Sequence, residues 1–270
     1  MTSFVGIGIT TYADISTPAY AAALYDAYEK SAPKLTPDHV KVWSMKQNVR
    51  SREDFARLWR AERPFRLTDE QTGQTLEKGA FIIGVEWSRR GGGRGQVEFQ
   101  PEMQADRTAG ITAWHPYSAR TNWLGLFRNL VQLCKPSHAM LHLFTGDEMR
   151  GDPADRFGHF NSPISGEAHF VSWRSSLGDW RRPDSWDHAA RRTYKHLPEL
   201  SWANFLGNEF SDQFDQAAVA QNAAHAEQEG AGLLFTVSGS LSDVSDKHAE
   251  FNERRRLLRS AFREDFFRLP

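Results

Sequence analysis

The stretch LPELSWANFLGNEFSDQF, Leu197 to Phe214, decides the reading of this chain. Its first half alternates. Leu200, Trp202 and Leu206 fall on one face of an extended backbone with Asn204 among them, and Ser201, Ala203 and Phe205 fall on the other. That pattern predicts a short core strand that stops at Gly207. An amide set between a Trp and a Leu is costly to bury without a partner, so Asn204 is expected to hydrogen-bond to neighbouring backbone. Gly207 can take the positive φ of a sharp turn, and Ser211 or Asn208 can cap a helix starting near Ser211. Trp202, Asn204 and Gly207 are therefore read as structural, and nothing in the stretch is a catalytic group.

The same patterns extend outward. Leu233 to Val237 predicts a buried strand, and Ser242 or Asp243 starts a last helix with Val244, Phe251, Leu258 and Phe262 on one side. Towards the N-terminus, Phe4 to Thr10 predicts a strand. Thr17-Pro18 then opens a helix with Tyr20, Leu24 and Tyr28 on one stripe. Val40 to Met45 predicts a short strand, and Ser51 to Ala61 a helix carrying Phe55, Leu58 and Trp59. Phe81 to Trp87 and Gln96 to Gln100 predict a hairpin whose glycine-rich connection is a long mobile loop. That loop has neither the Lys-Ser/Thr nor the spacing of a phosphate cradle. Ile111 to Trp114 and His138 to Phe144 predict strands on either side of an amphipathic helix, Thr121 to Cys134, giving a central βαβ-like run. Lys135-Pro136 ends that helix, and Cys134 on its apolar stripe reads as a small core residue. The chain reads as α+β, with a mixed, mostly antiparallel sheet packed with helices. Without internal repeats or a disordered linker, residues 1–270 are expected to form one domain.

Composition excludes several function classes. A net charge of −1 over 270 residues argues against a general nucleic-acid binder, whose phosphate contacts need excess Lys and Arg. A single cysteine forbids an intramolecular disulfide and a CxxC metal site. The N-terminus lacks the basic and apolar regions of a signal peptide, and no run approaches about 18 apolar residues. A cytoplasmic protein without membrane contact is expected.

The near-neutral total hides a segregation. From Glu199 to Glu253 there are ten acidic residues, opposed by Lys247 alone, and the stretch from Arg254 to Arg263 swings basic. Such a bias fits solvated helix faces, and it also fits a basic partner. Trp173, Trp180 and Trp186 alternate with arginines in a loop-rich region, the residue types enriched in protein–protein hot spots. Catalytic signatures are missing. His138 and His142 share a strand face but lie roughly 13 Å apart, too far to share one ion. There is no H-E-x-x-H motif, no Cys/His cluster and no nucleophile elbow. No Lys follows an acid by two positions, as a nuclease carboxylate motif would require. No metal or cofactor is expected.

Trp202-Ala-Asn204-Phe-Leu-Gly207-Asn-Glu209-Phe resembles the W-x-N-[FY]-[FL]-G segment of immunity protein family 52 of the polymorphic-toxin systems. The resemblance spans about nine residues and is accompanied by the order of a late strand, a polar helix and a C-terminal strand–helix pair. It implies a non-enzymatic protein that binds and neutralises a cognate toxin linked to type VI secretion, often a DNase of restriction-endonuclease-like fold. The expected contacts are Glu209, Asp212 and Asp215 after the Gly207 turn, Asp243 and Asp246 at the start of the final helix, and Trp180 and Trp186. The competing expectation is a hydrolytic enzyme assembled from dispersed His and Asp residues.

Overall fold

The computed structural model describes residues 3–42, 45–60, 62–69, 71–82, 84–99, 109–144, 199–264 and 266–267. The strands are β1 (Phe4–Thr11), β2 (His39–Val42), β3 (Met45–Asn48), β4 (Glu62–Thr68), β5 (Thr75–Ile82) and β6 (Glu86–Arg89). They continue with β7 (Gly93–Glu98), β8 (Ala109–Pro116), β9 (His138–Phe144), β10 (Ala203–Leu206), β11 (His225–Glu229) and β12 (Gly232–Thr236). The helices are α1 (Pro18–Ser31), α2 (Arg52–Trp59), α3 (Trp123–Cys134), α4 (Gln216–Asn222), α5 (Asp243–Asp246) and α6 (His248–Arg259). Ten strands form one sheet in the order β11-β12-β10-β9-β1-β8-β7-β6-β2-β3, and β4 with β5 forms a separate hairpin. Every pairing is antiparallel, so the fold is α+β as expected.

β1 is the spine of the sheet. Val5, Ile7 and Ile9 are fully buried, and the strand pairs with β8 on one side and β9 on the other. Both neighbours run antiparallel to it and hence parallel to each other, with α3 crossing between them. The βαβ-like run is real, but the spine strand is inserted between its two strands. α1 begins where Thr17 accepts a hydrogen bond from the Tyr20 amide, with Pro18 in its first turn. α3 begins at Asn122, which accepts from the Gly125 amide, and ends where Lys135 enters the left-handed region at φ 43°. α1 packs on α2 and α3. Tyr20, whose hydroxyl lies 2.7 Å from the Cys134 thiol, and Trp59 are buried there. Cys134 is a core residue whose thiol burial pushes up to about 12.

Several expectations need correction. Val40 to Met45 is not one strand: β2 ends at Val42, and Met45 opens β3, its antiparallel partner. Phe81 to Trp87 is not one strand. Gly84 adopts φ 92° and breaks it, leaving β5 in the hairpin and β6 in the main sheet. The glycine-rich segment is not a long loop either. The turn is confined to Arg90–Gly92, and Gly93 and Gly95 are ladder residues of β7, Gly95 directly opposite Trp87. The helix expected near Ser211 starts instead at Gln216. A 3₁₀ turn, Asn208–Phe210, buries Phe210, and Phe214 then bridges to Phe262, which holds the chain extended. Asp215 is the cap, accepting from the Ala217 and Ala218 amides. Finally, the last helix is two, because Lys247 at φ −133° separates α5 from α6. No helix among the described residues is long and apolar enough to cross a membrane.

Candidate functional site

The segment around β10 is a lock between three strands. The Trp202 amide donates to Nδ1 of His142 on β9 at 3.0 Å, and its indole donates to the Ser238 carbonyl at 3.2 Å. The Val237 amide returns a bond to the Trp202 carbonyl. Asn204 is 1% exposed, and its amide closes a local loop. Its Oδ1 accepts from the Ser201 amide at 2.9 Å, and its Nδ2 donates to the Ser201 carbonyl at 2.8 Å. Since Nδ1 of His142 accepts, Nε2 carries the proton of the neutral ring. Burial first, then the Arg255 guanidinium and His248, hold this histidine well below its ordinary value. Asn204→Ala removes the side-chain partner of both Ser201 backbone groups in the interior. It is expected to lower stability by about 1–3 kcal/mol, read as a drop in the urea midpoint.

Gly207 does not adopt positive φ. It sits at φ −70°, and close approach is what calls for glycine. A Cβ there would lie 3.0 Å from the Ser137 carbonyl oxygen and 2.5 Å from Oε2 of Glu209. The Glu209 side chain therefore folds back over the end of β10.

Around this point the ends of several elements converge on a cleft of about 420 Å³. Phe205, Val131 and the backbone of Gly207 and Gly232 line it, Glu209 and Glu229 contribute carboxylates, and Tyr12 and Lys135 stand with them. Tyr12 is 51% exposed just past β1, and Glu229 leads into the β11–β12 turn at Gly230. Oε2 of Glu229 accepts from Gln132 at 3.1 Å. The C-terminal end of α3 reaches the same place, and its carbonyls carry partial negative charge.

The expected contact residues fall in three places. Glu209 and Asp212 are exposed after the Gly207 turn, and Asp215, also exposed, caps α4. Asp243 is largely occupied: it accepts from the Ser240 amide and lies 3.8 Å from Lys247. Asp246 is exposed at the end of α5. The Asp215 amide bonds to the Ala261 carbonyl beyond one end of α6, whereas Asp243 and Asp246 precede its other end. A helix of 12 residues rises about 18 Å, so these two acidic groups are not one surface. Trp180 and Trp186 lie outside the described residues. The basic run is partly consumed: Arg259 pairs with Glu199 at 2.8 Å and Arg256 with Glu253 at 2.6 Å.

Sequence reasoning missed Tyr12, Lys135 and Glu229. Only the Glu229-Gly230-Ala231-Gly232 turn carried a local signal, an acid beside turn glycines. His115, His138 and His142 are core residues. His115 donates from Nδ1 to the Gly92 carbonyl at 2.8 Å and accepts at Nε2 from Tyr28, and burial lowers it to about 4. His138 is lowered to about 4 by burial alone. Among the described residues, no group of three or more His, Cys, Asp or Glu could hold a metal ion.

The geometry defines a rigid antiparallel frame with a mixed polar and apolar cleft at one end of its sheet. No family model and no curated protein matches the chain. Among solved structures it is similar to the Pseudomonas aeruginosa T6SS protein PA0821, with a TM-score of 0.56 and 12% identity, over 97% of this chain and 72% of that one. The likeness is one of fold.

Proposed function

We propose that this protein is the immunity partner of a type VI secretion toxin and acts by binding that toxin. The observation that carries the reading is the sorting of charge: two arginines of α6 are paired, to Glu199 and Glu253, while Glu209 stands exposed at the sheet end with no ion-pair partner among the described residues. The fold likeness to a Pseudomonas aeruginosa T6SS protein supports the secretion link. The resemblance of Trp202 to Phe210 to immunity protein family 52 supports the immunity role and a DNase of restriction-endonuclease-like fold as partner. A nuclease presents Lys and Arg where phosphates bind, so an acidic surface meets a ready-made complementary field. His115, His138 and His142 lie in the interior and offer no accessible general base.

Co-expression with the product of the adjacent gene tests this. A stoichiometric complex and protection of cells are expected; a neighbour that is not a toxin, or a toxin left active, defeats the reading. Within such a complex, Glu209→Lys with Asp212→Lys should slow association by roughly tenfold at low salt and flatten its salt dependence. Asp215→Lys should behave differently. It removes the α4 cap and is expected to cost about 1 kcal/mol of stability whether or not the partner is present.

A further inference from the structure

We infer that the sheet-end cleft is a receptor for one arginine side chain of a basic protein partner; this rests on the binding role proposed above and names the chemistry of the contact. Three features point the same way. The cleft is concave, and its 420 Å³ lies within the roughly 300–1,000 Å³ typical of pockets that take small ligands, so a long side chain with flanking backbone fits. Its lining divides into an apolar part, Val131 and Phe205, and a polar part made by Glu209 and Glu229. That division matches a side chain with an aliphatic stem and a cationic head. Its two carboxylates outnumber its one lining cation, Lys135, so the cleft carries net negative charge.

The carboxylates are not spent internally on a cation. Lys135 lines the cleft, yet neither it nor Glu209 has an ion-pair partner among the described residues. Glu229 meets only the neutral amide of Gln132 among the described residues. The walls are also fixed in place. The Gly207 amide bonds to the Ser137 carbonyl at 2.8 Å, and Gly232 has no room for a side chain against Phe205. Preorganised walls lower the ordering cost of binding. Arginine is favoured over lysine because a planar guanidinium presents several donors in a fixed fork suited to carboxylates, whereas an ammonium is a more strongly hydrated point charge.

The test uses the full chain and Nα-acetyl-arginine amide as probe, followed by amide NMR shifts. Saturable shifts confined to Lys135, Gly207, Glu209 and Glu229–Gly232 are expected, with several-fold weaker binding of the lysine analogue and none of the neutral citrulline analogue. Glu209→Gln with Glu229→Gln should weaken the arginine probe several-fold, and Lys135→Glu should strengthen it; unchanged melting temperatures show that the variants fold. Shifts scattered over the surface, equal binding of citrulline, or indifference to these substitutions overturn the inference. The immunity reading fails separately. A wild-type chain that binds the probe but not the neighbouring gene's product sinks that reading and leaves the cleft as a guanidinium site. Neutralisation by the Glu209→Gln, Glu229→Gln variant as tight as by wild type sinks the cleft and leaves the immunity role.

Discussion

Lowering the pH from 7 to 5 is expected to remove at least about 4 kcal/mol of folding stability, with most of the loss below pH 6.5. Three buried histidines carry the effect. His115 and His138 are lowered to about 4, and His142 lies well below its ordinary 6.5. In the folded chain each stays neutral through this range, while in the unfolded chain each takes up a proton near pH 6.5. The unfolded state then binds more protons, so stability is complete above about pH 6.5 and falls as pH drops towards the folded values. His115 and His138 contribute about 2 kcal/mol each over this interval, a large fraction of a typical domain's stability, and His142 adds to the loss in the same direction.

Contacts explain why protonation is resisted. A proton on Nδ1 of His142 would face the Trp202 N–H, and a proton on Nε2 of His115 would oblige the Tyr28 hydroxyl to turn from donor to acceptor in a buried site. Depressed carboxylates such as Asp38 and Glu227 act with the same sign but in a lower window, because their stabilisation is lost only as pH falls through their lowered values. Urea melts at pH 7, 6 and 5 check the prediction, and His138→Leu should reduce the loss between pH 7 and 5 by about 2 kcal/mol. A midpoint that does not move between pH 7 and 5 would show that these rings gain no proton on unfolding.

The legible parts of this fold were those written in local periodicity. Tyr20, Leu24 and Tyr28 announced α1 because residues four apart share a helix face, and Thr17-Pro18 fixed its start. The alternation in β1 was equally plain, and Asn204 declared its need for backbone partners by being polar between apolar neighbours. Other features were set by pairings far apart in sequence. Nothing near Tyr12 says that Glu229 will stand in the same cleft; that follows from β1, β9, β10 and β12 lying side by side. Ser211 and Asp215 are both competent caps by type, and the Phe214–Phe262 bridge decided between them. The acids after Glu199 read as one block along the chain, yet α6 sets Asp243 and Asp246 apart from Asp215.

The glycines of β7 are the clearest case of such a long-range cause, and they carry the other large expected effect. Gly-Gly-Gly-Arg-Gly reads as a flexible connection because glycine punctuates loops more often than it fills strands. Here the indole of Trp87 lies across Gly95. A Cβ at Gly95 would overlap the six-membered part of that ring and lie 2.8 Å from its Nε1. Trp87 has little room to retreat: it is 2% exposed, with ring centroids of Trp59 at 5.8 Å and Phe55 at 6.3 Å. Gly95 is equally fixed, paired to Trp87 on β6 and to Ala113 on β8. Gly95→Ala is therefore expected to cost about 3 kcal/mol or more through overpacking, although it adds a single methyl group. Trp87→Leu alone opens a cavity and should cost about 2–4 kcal/mol. The pair separates a steric cause from a general weakening of β7. If the clash is the cause, Gly95→Ala should cost much less in the Trp87→Leu background, giving a coupling of at least about 1 kcal/mol in the double-mutant cycle. Strict additivity would mean that the alanine acts on the strand rather than on the tryptophan, and an unaltered melting curve for Gly95→Ala would mean that the indole does not rest on this backbone at all.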